Sequence, residues 1–136
     1  MQVVEDIENA QKAADWKRFG ELHAENVVLH SPDNAVPLKG RDAVVGWYKG
    51  FFTAFPDMTP TRLVAITQGE WVAAEYRITG THKGALKGPA GTIPPTNKRV
   101  NMANSSWYKV QNGMIVEVHE YFDQAGFMAQ LGLGPK

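Results

Sequence analysis

The chain contains no cysteine, which excludes a disulfide framework, a thiol nucleophile and a cysteine-bound metal together. It has no excess charge either, because 14 Lys and Arg balance 14 Asp and Glu. The positive residues are scattered, whereas a nucleic-acid partner needs a basic stripe, so none is expected. No stretch approaches the roughly 18 continuous apolar residues of a membrane helix. The start, Met1-Gln2-Val3-Val4-Glu5-Asp6, lacks the basic-then-apolar run of a secretory leader. A cytoplasmic protein with no membrane partner is the expectation. The glycines between Gly80 and Lys98 have neither P-loop nor dinucleotide spacing, and no helix follows them. Repeats and low-complexity tracts are missing too. What is present is an ordinary globular composition, 43% hydrophobic and 21% charged over 136 residues. That is one domain, spanning 1–136, with material for its own core.

The first half of the chain has helical periodicity. Val3, Ile7, Ala10 and Ala14 recur at helical spacing, with Glu5, Glu8, Gln11 and Lys12 on the wet side. Asp15 is placed to cap a second, short helix that buries Trp16, Phe19 and Leu22. Asn26 to His30 predicts a strand, ended by the turn cluster Ser31-Pro32-Asp33-Asn34. A third helix starts near Arg41-Asp42, carries Val44, Trp47, Tyr48, Phe51 and Phe55, and stops at Pro56.

The period then changes to two. Thr61–Thr67, Trp71–Thr79, Arg99–Val110 and Met114–Phe122 predict long strands. Asn112-Gly113 is a strong hairpin signal, since both turn positions need positive φ. Gly80 to Lys98, rich in Gly and Pro, predicts a long mobile loop. Asp123 can cap a closing helix holding Phe127, Met128 and Leu131. Helices followed by a meander of long strands give an α+β fold, a curved antiparallel sheet whose covered face encloses one pocket.

Alternation sorts the strand residues. Val116, Val118, Glu120 and Phe122 share one face of the last strand; Glu117, His119 and Tyr121 share the other. Val100, Met102, Asn104, Ser106, Tyr108 and Val110 face inward before it, and Val72, Ala74, Tyr76 and Ile78 in the strand from Trp71. Glu120 is thus one carboxylate on an apolar face, where burial raises its pKa toward that of a base working near neutrality. The competing reading is structural, with Glu120 bonded to a backbone amide or to Asn104. His30 and His82 are candidate proton carriers. Tyr76, Asn104, Ser106, Trp47, Phe51, Met102, Val118 and Phe122 are candidate contacts to a hydrophobic small molecule. His119-Glu120 begins an apparent zinc motif, but Asp123 stands where the second histidine belongs and the segment reads as a strand. Neither a metal nor any other cofactor is expected.

Several stretches together resemble the SnoaL-like ester and polyketide cyclases. They are Phe55-Pro56-Asp57, Gly80-Thr81-His82-Lys83-Gly84, Pro94-Pro95-Thr96-Asn97-Lys98-Arg99-Val100, Trp107, Asn112-Gly113-Met114-Ile115-Val116-Glu117, Asp123-Gln124 and Gln130-Leu131-Gly132. The resemblance implies the NTF2-like, cystatin-related cone and frequent homo-oligomers. It also implies cofactor-free enzymes that close a polyketide ring by intramolecular aldol condensation. The family's acid/base aspartate, three residues before the Asp that opens the closing helix, corresponds to Glu120. A family histidine on the preceding strand corresponds to Ser106. Both positions depart from the pattern, and the Glu moves the carboxylate out by about 1.5 Å. The expected function is a cyclase or isomerase of a polyketide- or terpenoid-like molecule. An epoxide-opening enzyme with the same base and a non-catalytic binding domain stay open as alternatives. The outward residues Trp107, Tyr121, His119, Ala103 and Ser105, with Trp71 on the strand beyond, would form a contact face for a dimer or higher oligomer.

Overall fold

The computed structural model describes residues 1–88 and 91–133. Three helices, α1 (Gln2–Lys12), α2 (Trp16–Glu21) and α3 (Arg41–Ala54), lie in the first half, and α4 (Gln124–Gln130) closes the chain. The strands are β1 (His23–Ser31), β2 (Asn34–Lys39), β3 (Thr59–Gln68), β4 (Trp71–Thr81), β5 (Leu86–Gly88), β6 (Gly91–Ile93), β7 (Arg99–Gln111) and β8 (Met114–Phe122). The local signals act where expected. The Asp15 carboxylate accepts from the Arg18 amide at 3.0 Å and Asp123 from Gly126 at 2.9 Å, satisfying N–H groups that a helix start leaves open. Asn112 and Gly113 turn the β7–β8 hairpin with φ of 53° and 73°. None of the helices described is long and apolar enough to cross a membrane.

Six strands form one sheet in the order β2-β1-β8-β7-β4-β3. The sheet is mixed rather than wholly antiparallel, because β1 pairs in parallel with β8. Hairpins force the β1–β2, β3–β4 and β7–β8 pairs to be antiparallel, whereas β1 and β8 meet only after the whole meander lies between them, which frees their relative direction. β2 was not anticipated at all. Its Pro37 cannot donate to a ladder, and β2 tolerates it as an edge strand.

Two further expectations are corrected. The β7–β8 register shifts between Lys109 and Val110, so Ile115, not Val116, joins Val118 and Glu120 in burial. A bulge inserts one residue and reverses the parity behind it. The segment Gly80–Lys98 is not an unstructured loop either. Apart from residues 89 and 90, which lie outside the described residues, it is folded. β5 and β6 form a small hairpin, the His82 amide donates to Lys98 at 2.9 Å, and the Lys83 and Gly84 amides donate to Ala54 at the end of α3.

The core has two parts. Val4, Ile7, Phe19, Val27, Leu29, Val44, Ile115 and Val118 pack the N-terminal helices onto β1 and β8. Phe55, Leu86, Val100, Phe127 and Leu131 pack the hairpin and α4 onto the other end. Each fully buried phenylalanine contributes roughly 1.5–3 kcal/mol. Between the two clusters the sheet and α3 do not close completely, and a cavity remains.

Candidate functional site

Glu120 sits on β8 directly across from Ser106 of β7, only 4% exposed. Its Oε1 accepts from Asn104 Nδ2 at 3.0 Å and, over a short hydrogen bond, from Ser106 Oγ. Its Oε2 accepts from the Tyr48 hydroxyl at 2.5 Å. Asn104 also donates to Ser106 at 2.9 Å, so the three groups on β7 and β8 form one network. Tyr48 reaches it from α3, one turn after the buried Val44.

Burial raises the Glu120 pKa above the ordinary carboxylate value, and the bonds from Ser106, Tyr48 and Asn104 pull it back down. Burial, reinforced by the Glu120 charge, also pushes the Tyr48 and Tyr108 hydroxyls well above their usual pKa, so both remain neutral donors. Tyr76 is raised too, first by burial and then by its 2.6 Å bond to Glu8.

The cavity over this network has a volume of about 70 Å³ and opens to solvent. Tyr48, Tyr76, Asn104, Ser106, Tyr108 and Glu120 form its polar floor and side. Trp47, Phe51, Phe52, Ile78, Met102 and Phe122 form its apolar wall. Gln11, Met58 and Pro60 stand at the rim. Just outside, Glu8 accepts from Tyr76 and meets the Arg62 guanidinium at 3.5 Å.

Of the site residues expected from sequence, Glu120, Tyr76, Asn104, Ser106, Trp47, Phe51, Met102 and Phe122 come together around this cavity. Val118 does not reach it. It points to the same side as Glu120 but is sealed beneath the N-terminal helices in the first core cluster. His30 lies on the opposite face of the sheet, stacked on His119 with ring centroids 4.3 Å apart. His82 is fully buried at the far end, stacked on Phe55 and bonded to Thr96. Burial lowers its pKa, and it does not line the cavity. Neither histidine is near Glu120.

Sequence reading missed Tyr48 and Tyr108 as polar members of the site and Glu8 at its mouth. Tyr48 carries one usable signal, a hydroxyl on the buried face of a helix, which requires a partner. For Glu8, placed on the wet side of α1, no signal existed. Among the described residues, the cavity is lined by a single carboxylate and no histidine. Among the described residues, the one cluster of three metal-type donors is His30, Glu117 and His119, outside the cavity.

Comparison with known proteins agrees with this architecture. No curated protein is detectably similar in sequence. Among solved structures, the chain is similar to IdmH of Streptomyces antibioticus, a candidate polyketide cyclase, with 28% identity, 96% of each chain covered and a TM-score of 0.78. It is also similar to a candidate SnoaL-like polyketide cyclase of Jannaschia sp. CCS1, with 17% identity, 98% and 92% covered and a TM-score of 0.86. AclR of Streptomyces galilaeus, a candidate hydroxylase, shares 22% identity over 98% and 96% of the two chains, with a TM-score of 0.80. At 17% and 22% identity the likeness concerns the fold alone. The model of the family described as SnoaL-like polyketide cyclase matches residues 1–131. With that match over nearly its whole length, and helices packed on a mixed sheet around a pocket, the chain belongs to the SnoaL-like polyketide cyclase family of the NTF2-like superfamily.

Proposed function

We propose that the protein is a cofactor-independent cyclase or isomerase of a hydrophobic, polyketide- or terpenoid-like molecule, with Glu120 as its acid/base. Family membership supports small-molecule cyclase or isomerase chemistry in general. The observation that carries the finer reading is the Glu120 carboxylate itself, desolvated at the floor of an apolar cavity and held by three neutral donors. Burial of this kind makes a carboxylate a stronger base.

In the proposed reaction a carbon acid flanked by carbonyls lies against Oε2. The C–H bond breaks, the proton goes to Glu120, and the electron pair moves into an enolate. Neutralised Glu120 then needs its donors less, which leaves the Tyr48 hydroxyl to turn to the enolate oxygen. The enolate carbon attacks a second carbonyl of the same molecule, and Glu120 returns its proton to the new alkoxide. Proton and charge balance over the cycle. The aromatic wall contributes by folding the substrate so that its two ends meet.

The test begins with mass-spectrometric identification of a ligand carried from the host, followed by turnover of that scaffold and of poly-β-ketone analogues. Glu120→Gln keeps the shape and is expected to lower turnover by about 10²–10⁴-fold, with ligand affinity changed only a few-fold. Undiminished turnover in a folded Glu120→Gln protein would remove Glu120 from the mechanism.

A second reading, a binding domain without chemistry, has one observation in its favour. Both Glu120 oxygens are already engaged by protein donors. It predicts that wild type binds the ligand and returns it chemically unchanged.

A further inference from the structure

The face of the sheet opposite the cavity carries a donor cluster that the proposed reaction does not use. His30 of β1 and His119 of β8 are direct partners across the parallel pair, and Val28 faces Glu117 two positions before them. The two imidazoles stack with centroids 4.3 Å apart and planes 3° from parallel. Glu117 Oε2 lies 2.6 Å from His119 Nε2. One donor atom from each of the three residues falls within 4.8 Å of the others, and all three side chains are half-buried. We propose that His30, Glu117 and His119 form a binding site for a borderline divalent cation of the Zn²⁺ type, clamping β1 to β8.

The donor chemistry fits such an ion. Two neutral imidazoles and one carboxylate suit zinc and its first-row neighbours better than Mg²⁺ or Ca²⁺, which call for all-oxygen shells. The placement fits as well. Residues i and i+2 of a strand project from the same face about 6.6 Å apart at their Cα atoms, and a neighbouring strand adds a third donor across a gap of about 4.8 Å. Metal at about 2 Å from each ligand requires the donors to be about 3–3.5 Å apart. Stacked rings aim their lone pairs in parallel, so one imidazole must turn out of the stack about χ2, a broad and soft torsion.

His119 has the support a metal-bound imidazole needs. The Tyr121 hydroxyl stands 3.3 Å from its Nδ1, ready to accept an Nδ1–H once Nε2 carries the metal. Three protein ligands leave a coordination position for water. The site lies across the sheet from Glu120, so no step of the proposed reaction runs through it. Its role is to join two strands that no hairpin connects.

The histidine inventory makes the test direct. The chain has four histidines and no cysteine, and His23 and His82 are fully buried. Tag-free wild-type protein is titrated with Zn²⁺ and followed by imidazole ¹H–¹⁵N resonances, with isothermal calorimetry for stoichiometry. The expected result is one ion per chain, resonance changes confined to His30 and His119, and a melting temperature that rises with Zn²⁺. His30→Gln and Glu117→Gln, measured separately, are each expected to weaken binding by about ten-fold or more and to reduce the thermal shift. Unmoved His30 and His119 resonances at millimolar Zn²⁺ overturn the proposal without recourse to any variant. So does an affinity that His30→Gln leaves intact.

Discussion

At the scale of single residues, two buried titratable groups give the stability curve opposite slopes. His23 is fully buried, with Nδ1 2.7 Å from the Phe19 carbonyl and Nε2 unpartnered. Burial lowers its pKa from 6.5 to about 4. Below pH 6.5 the unfolded chain takes up a proton that the folded chain refuses, so stability is lost as pH falls from 6.5 toward 4. The loss amounts to about 3 kcal/mol from this group. Glu120 acts with the opposite sign. Its folded pKa is raised above 4.5, so the folded state holds the extra proton and stability declines as pH rises past 4.5. Melting temperatures measured against pH should therefore fall on acidification through the His23 window. Glu120→Gln should match wild type near pH 4 and gain on it as pH rises. A Glu120→Gln advantage that does not change with pH would mean that Glu120 ionises in the fold as it does in water.

At the scale of elements, the segment between β4 and β7 offers the sharpest test. A Cβ on Gly84 would stand 2.5 Å from the Thr53 carbonyl oxygen and 3.2 Å from Ala54 Cα, both backbone atoms at the end of α3. Gly84→Ala is thus expected to cost about 1–3 kcal/mol in urea unfolding, while the Glu120 network keeps its geometry. An unchanged midpoint would show that the segment lifts freely from α3. This contact also marks where sequence reading ended. The caps at Asp15 and Asp123 and the turn at Asn112-Gly113 were legible because their chemistry is local. Asn104, Ser106 and Glu120 were legible because alternation runs unbroken through their part of β7 and β8. Val116 was misplaced because the bulge beside Val110 reverses parity. Tyr48 read as mere core because its hydroxyl's partner lies 72 residues away. His30 read as a proton carrier because strand spacing carries no trace of a parallel neighbour.

At the scale of the whole molecule, the outer sheet face remains. Ile66 is 65% exposed, Tyr121 53% and Trp107 43%, and they share a shallow depression with Trp71, Ala73 and His119. The expected homo-oligomer would use this face, a second copy covering it by a symmetric contact. Sedimentation of wild type should give a mass above 15.0 kDa, and Trp107→Glu should return it to that value. A wild-type monomer at micromolar concentration rules the oligomer out, and a Trp107→Glu dimer moves its interface elsewhere. The parallel β1–β8 pair has a different kind of consequence, in time rather than space. β1 leaves the ribosome well before its partner, which follows roughly ninety residues later. The centre of the sheet therefore cannot close until β8 has been made, and the helices before it must wait with their apolar faces open. Closing so long a loop before any pairing rewards it slows folding. Refolding followed by tryptophan fluorescence should be correspondingly slow, in the millisecond-to-second range of non-local β topologies, and a nascent chain stopped short of β8 should remain a client for chaperones.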